Sequence, residues 1–242
     1  MKEGNENEQK VEQKVEVKDA TEKVYNMEFV KDLDNIFILG RGQSLGLCPT
    51  KIPEKSEFWG CNNIYKAREV DRLFLMRDVY VTEFNRKTEI IKDANEKGFP
   101  VYTLGKYDEI DNNIQYPMQK IINEFNIAYF LSTVAYMLAL AIMQKPKNIY
   151  LFGVDMEYGT STEYMQNEKA NVEYWLGMAT GRKIQYHLSN GCSLMRRKTQ
   201  NNYYGMIVNL DEQHKTLRLT PDYKGNDKCA LKYKLIKIEH NL

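Results

Sequence analysis

An α/β fold, with a mostly parallel sheet and helices on both faces, is what this sequence predicts, and three observations carry it. Short apolar runs such as IFIL at 36–39, RLFLM at 72–76 and NIYLF at 148–152 alternate with segments of helical composition. Strands that are apolar throughout, rather than at every second residue, belong to a parallel sheet covered on both sides. The run from Asn35 to Ser44 empties a strand into a turn at Gly40 and Gly42. Residues 134–143, VAYMLALAIM, are apolar on every side of a helix and lead through Pro146 directly into another apolar run. Such a helix is buried, and the proline ends it. The pattern is Rossmann-like.

The elements follow in order. Residues 36–39 form the first strand and 58–61 the second, after a loop containing Pro49 and Pro53. Residues 67–70 make a short turn or helical segment, and 72–76 the third strand. A helix over 82–97 is stopped by Gly98-Phe-Pro100, and a fourth strand runs over 101–104. A short helix is expected over 116–125. Ser132 or Thr133 stands where the buried helix needs its N-cap. After the strand at 148–152, which breaks at Gly153-Val-Asp155, come a helix over 169–178 and a strand over 184–188. From about residue 200 the texture changes to alternation, in 203–210, 215–219 and 229–238, with a polar link at 211–214 between the first two. That is a hairpin signature. The expected organisation is a disordered tail at 1–25, a main domain at 30–197 and a small antiparallel β appendage at 198–242. The tail is almost wholly charged or amide and has too little apolar surface to order itself. The appendage must bury one face, against the main domain's edge or a partner subunit of a homo-oligomer.

Composition narrows the function. The chain has 242 residues, enough for one domain with appendages or at most two small ones, and 43% are hydrophobic. With 34 basic and 33 acidic residues the net charge is +1, and no basic stripe marks a nucleic-acid binder. The four cysteines, Cys48, Cys61, Cys192 and Cys229, stand far apart without a C-x-x-C pair. A reduced, cytoplasmic setting is the simplest reading of that spacing, and a zinc site is not expected. The N-terminus lacks the apolar core of a signal peptide, and no unbroken apolar stretch is long enough to span a membrane.

The glycine turn is the chemical feature. A glycine after a parallel strand allows a sharp turn and close approach of backbone N–H groups to a ligand, while the following helix aims its positive end at an anion. The dinucleotide fingerprint G-x-G-x-x-G is not met, because Leu45 stands at the third glycine. Nor is there an acid about 20 residues on, where Cys61-Asn62-Asn63 stands instead. No Gly-Lys-Ser/Thr follows, so it is not a Walker loop either.

Taken in order, Gly40-Arg-Gly-Gln-Ser-Leu45, Cys61-Asn62, Ser132-Thr133 and Ile149-Tyr-Leu-Phe-Gly-Val-Asp155 resemble the bacterial sialyltransferases of glycosyltransferase family 42. They are also similar to the related 6-hydroxymethylpterin diphosphokinase (MptE-like) proteins and to a group of phage-encoded proteins with the same skeleton. The resemblance spans roughly residues 35 to 194 and lies in the ordered set. It implies a nucleotide-binding transferase that uses a nucleotide-activated sugar. A diphosphokinase and a non-catalytic nucleotide-binding or structural accessory protein are the alternatives. It also implies that Gly40, Arg41, Gly42, Gln43 and Ser44 lie against phosphate and ribose, and that Asn62, with Asn63 beside it, bonds the nucleotide. Ser132 and Thr133 would meet the phosphate at a helix start, and Asp155 and Tyr158 would close the site.

Two departures bear on mechanism. Gln43 replaces the family's proline, and Arg41 replaces a neutral residue, adding a cation suited to a phosphate. The family's general-base histidine is expected in the segment after Gly153-Val-Asp155, where Gln166 and Asn167 stand. Glutamine cannot accept a proton at neutral pH. Asp155 and Asp78, each following an apolar strand, are therefore the candidate catalytic carboxylates. They would accept a proton directly or act through a divalent cation, although no metal site is read from the sequence itself. His187, within a strand, reads as a hydrogen-bonded structural histidine.

Overall fold

The computed structural model describes residues 32–76, 87–156 and 163–195, together with strands at 206–211, 216–221 and 231–234. Asp78, Tyr158 and the tail at 1–25 lie outside the described residues.

Seven parallel strands form one sheet: β1 (Asn35–Leu39), β2 (Ser56–Cys61), β3 (Arg72–Leu75), β4 (Val101–Thr103), β5 (Asn113–Gln115), β6 (Asn148–Phe152) and β7 (Gln185–Leu188). Their order across the sheet is β5-β4-β3-β2-β1-β6-β7. The chain steps outward from β1 to β5, then returns to place β6 on the other side of β1. The helices are α1 (Lys87–Lys97), α2 (Met118–Phe125), α3 (Thr133–Gln144) and α4 (Glu163–Gly181). The strands β8 (Met206–Asp211), β9 (Thr216–Pro221) and β10 (Leu231–Lys234) make a separate three-stranded antiparallel sheet. The expected α/β class, parallel sheet and C-terminal antiparallel strands are all present.

Burial follows the apolar runs. All five residues of β1 are buried, because both faces of this central strand are covered. Phe37 and Leu39 face a cluster with Cys48 and Ile64, while α1 contributes Ala94 to a second cluster with Leu73, Leu75 and Val101. Strand alternation puts Ile36 and Ile38 on the opposite face, and both are fully buried. The helix α3 packs against β1, β2 and β3 and against α2 and α4. Its Leu138, Leu140 and Ile142 are fully buried, each worth roughly 1.5–3 kcal/mol of transfer free energy. Ser132 is its N-cap, its side chain accepting from the Ala135 N–H at 3.3 Å, and Lys145 ends it in the left-handed region at φ 55°.

Two elements differ from expectation. β5 was not foreseen, because Asn113-Ile-Gln115 at the sheet edge has one apolar residue and a strand signal needs more. α4 begins at Glu163 rather than at 169, because its first turns, Glu-Tyr-Met-Gln-Asn-Glu, are mostly polar and read as surface.

Candidate functional site at the carboxyl edge of the sheet

Since β1, β2, β6 and β7 are parallel, the loops that follow them emerge on one edge. The chain reverses its direction of travel across the sheet between β1 and β6, the place where ligands of open α/β folds bind. A cavity of about 750 Å³ opens there. It is lined by the whole turn from Gly40 to Ser44 and by Asn62 after β2, Val134 in the first turn of α3, Asp155 after β6, and Asn190 and Gly191 after β7.

The glycines serve a crossing of two backbones. Gly40 N–H donates to Phe152 O at 2.8 Å and Gly42 N–H to Gly153 O at 2.7 Å. A Cβ on Gly40 would run into the Gly153 carbonyl, and one on Gly153 into the Gly40 carbonyl. Gly153 also sits at φ 67°, where a side chain is strained. A Cβ on Gly42 would strike the Asp155 carboxylate. The turn after β1 and the turn after β6 are thus locked face to face.

Ser44 and Asp155 complete the lock. Asp155 Oδ2 accepts from the Ser44 N–H at 2.9 Å, and Oδ1 accepts from the Ser44 hydroxyl. That hydroxyl oxygen also accepts from the Gly153 N–H at 2.8 Å and from the Ser189 hydroxyl at 2.6 Å. Ser44 is buried, and its hydrogen-bonding capacity is used within the protein. Asp155 is only partly buried, and its carboxylate borders the cavity with lone pairs to spare.

The cavity also carries a cation. Arg41 is exposed at the cavity and makes no ion pair among the described residues. The Arg41 and Gln43 N–H groups likewise take no protein acceptor among the described residues. Asn62, held at φ 54° by the turn after β2, reaches the cavity as well. Beneath it, burial pushes the Cys61 thiol up to about 11, with the Arg41 charge acting in the opposite direction.

The structure therefore gathers Gly40, Arg41, Gly42, Gln43, Ser44, Asn62 and Asp155 around one cavity. Asn63 turns away, into a separate hollow with Lys66 and Glu89. Ser132 and Thr133 stand at the start of α3, and it is Val134 that lines the cavity. Gln166 and Asn167 are exposed on α4. His187 stacks on Tyr150 at 4.4 Å, with Nε2 3.2 Å from Asn148 Oδ1, and does not line the cavity. Asn190, Gly191 and Ser189 are additions that the structure makes to the sequence-based set, and their signal is Ser-Asn-Gly ending a parallel strand, a turn at the right edge. Among the described residues, no three His, Cys, Asp or Glu side chains come together as a metal site. No described helix is long and apolar enough to cross a membrane.

No family model matches the chain, and no curated protein does. Solved structures do. The chain is similar to two Campylobacter jejuni sialyltransferases. CstII in complex with CMP-3FNeuAc is 18% identical, with a TM-score of 0.47, over 71% of this chain and 93% of that one. CstII in complex with cytidine-5'-monophosphate is 16% identical, at 0.45, over 71% and 92%. The monofunctional α-2,3-sialyltransferase Cst-I is 18% identical, at 0.45, over 72% and 84%. The likeness is one of fold; the chemistry of the site rests on its own residues.

Proposed function

We propose that the cavity binds a nucleotide and that the protein is a transferase of glycosyltransferase type using a nucleotide-activated sugar. The observation that carries this reading is that Asp155 and Arg41 line one cavity at the β1–β6 reversal. A carboxylate only accepts, so its partner on a ligand is a hydroxyl or amine; a guanidinium only donates, so its partner is an anion. A sugar hydroxyl at one end and a phosphate at the other describe a nucleotide. The open N–H groups of Arg41 and Gln43 add donors for the phosphate, and the amides of Asn62 and Asn190 suit a base or sugar edge.

In this reading Asp155 orients the ribose rather than acting as general base, because both of its oxygens are engaged by Ser44. That engagement also favours a second reading, a nucleotide-binding protein without turnover. Thermal-shift titration with CMP, UMP and AMP tests binding. At 100 times the dissociation constant a ligand stabilises by about 2.7 kcal/mol, a shift of several degrees. Arg41→Ala is expected to weaken the best nucleotide about tenfold, the size of one charge-assisted contact, and to leave the unliganded midpoint unchanged. No shift with any nucleotide would refute the site. Hydrolysis of a CMP-activated sugar, assayed with and without Mg²⁺, separates the two readings: turnover marks the transferase, and binding without turnover the accessory protein.

A further inference from the structure

Ser189 lies just past β7, is buried, and does not line the cavity, yet its hydroxyl donates to Ser44 Oγ at 2.6 Å. Ser44 Oγ has one proton and two lone pairs. The Gly153 N–H takes one lone pair and the Ser189 hydroxyl the other, so the Ser44 proton has a single acceptor left, Asp155 Oδ1. Ser189 thereby sets the direction of a chain that runs Ser189 to Ser44 to Asp155. Without it Ser44 regains a free lone pair, its hydroxyl can rotate, and one of the two contacts fixing the carboxylate is loosened.

We propose that Ser189 is a positioning residue for ligand recognition, acting through Ser44 to hold Asp155 where it accepts a ribose hydroxyl. The proposal rests on the nucleotide reading above and adds to it that β7 contributes to specificity without touching the ligand. An ordinary packing role for Ser189 makes a different prediction. Loosened packing weakens every ligand alike, whereas loss of the chain weakens only ligands whose hydroxyls Asp155 holds.

The probes are CMP and 2′,3′-dideoxy-CMP, titrated calorimetrically into the full-length protein. Wild type is expected to prefer CMP by about tenfold, the worth of a hydrogen bond to a charged group. Ser189→Ala is expected to bring that ratio close to one while binding the dideoxy form as wild type does. Ser189→Thr, which keeps the hydroxyl, is expected to restore the ratio. Circular dichroism and the unliganded melting midpoint establish that each variant is folded, and Ser189→Cys, a weaker donor of similar size, stands in if the alanine variant is not. An unchanged ratio in Ser189→Ala or Ser189→Cys overturns this inference and leaves nucleotide binding intact. Equal affinity of wild type for both probes overturns it too. Failure of wild type to bind any nucleotide overturns the underlying reading as well.

Discussion

Of the polar clusters within this sheet, two differ in what they leave over. At the carboxyl edge, Ser44, Asp155 and Ser189 join the ends of β1, β6 and β7 beside an open cavity. Under β2, β3 and β4, Arg72 Nε donates to Glu57 Oε2 at 2.6 Å, with both side chains about 95% buried (4% and 5% exposed). Trp59 Nε1 donates to the same oxygen at 2.8 Å, Arg72 donates to the Tyr102 hydroxyl at 2.9 Å, and its guanidinium lies 4.8 Å over the Trp59 ring. Burial pushes the Tyr102 phenol upward from its ordinary value. Each cluster links residues from neighbouring parallel strands, and each satisfies its own members. Only the first faces space that a ligand can enter, with spare lone pairs on Asp155 and, on the same cavity, an Arg41 without an ion pair among the described residues. The comparison teaches that a satisfied polar cluster stays open to a ligand when it lies past the carboxyl ends of the strands beside a cavity, and is closed when its charges lie within the strands against aromatic rings.

The two clusters should break differently. Glu57→Ala leaves the Arg72 charge buried without its carboxylate and is expected to cost about 3–5 kcal/mol, the largest single effect. Replacing both partners, Glu57→Leu with Arg72→Met, should recover most of that loss, since a buried pair is close to neutral against apolar residues of similar size. Urea denaturation reads both, and a double variant no more stable than Glu57→Ala would show that the pair contributes more than mutual neutralisation. Gly153→Ala comes next. It forces a Cβ against the Gly40 carbonyl at φ 67° and is expected to cost about 2 kcal/mol or more. Its distinguishing effect is on binding, because relief of the clash must part the two turns. The folded fraction of Gly153→Ala should lose CMP affinity while that of Glu57→Leu/Arg72→Met keeps it.

How far the sequence foretold these clusters depends on how local each signal is. β1 and its glycine turn, the capped α3 and β6 were legible because each is a continuous run with its own stop signal. Asp155 and the Gly40–Ser44 turn are each legible in the sequence, but their contact across 111 residues is not, since only the β1–β6 pairing creates it. In the sequence the glycines read as room for a ligand, whereas their first service is to let two backbones cross. Glu57 and Arg72 give no sign of their pairing in the sequence, because a lone charge at the start of a strand looks like a surface residue until the register pairs Trp59 with Arg72. Asn62 and Asn63 could not be told apart by composition. A left-handed backbone at Asn62 turns the first toward the cavity and its neighbour toward Lys66.

A smaller effect is expected at the start of α3. Ser132→Ala removes the cap on the Ala135 N–H and should cost about 1 kcal/mol, without the loss of CMP preference expected of Ser189→Ala. Loss of nucleotide binding at unchanged stability would instead show that the Ser132 hydroxyl leaves its cap to meet the ligand.

The finest test uses Cys61, which sits between the two clusters, at the end of β2 and on the floor of the cavity. Its thiol lies 3.6 Å from Leu39 O, and burial holds it at about 11, above the 9.0 of a free thiol. The thiolate is the nucleophile, so iodoacetamide at pH 8 should leave Cys61 unmodified in the folded protein and alkylate it in urea. The same shift has a stability consequence. The folded state keeps a proton that the unfolded state loses above pH 9, so this contribution is complete below pH 9 and is lost as pH rises through 11. Comparing denaturation midpoints at pH 8 and pH 11 in wild type and Cys61→Ala isolates it, since the alanine variant lacks the titrating group. Wild type should lose more stability than the variant over that interval. Because the Arg41 charge favours the thiolate, Arg41→Ala should push the thiol further up, so that the alkaline loss still begins near pH 9 but is larger and extends to higher pH. Equal losses in wild type and Cys61→Ala, or rapid alkylation at pH 8, would mean that water reaches the cavity floor and that the site is more open than its packing shows.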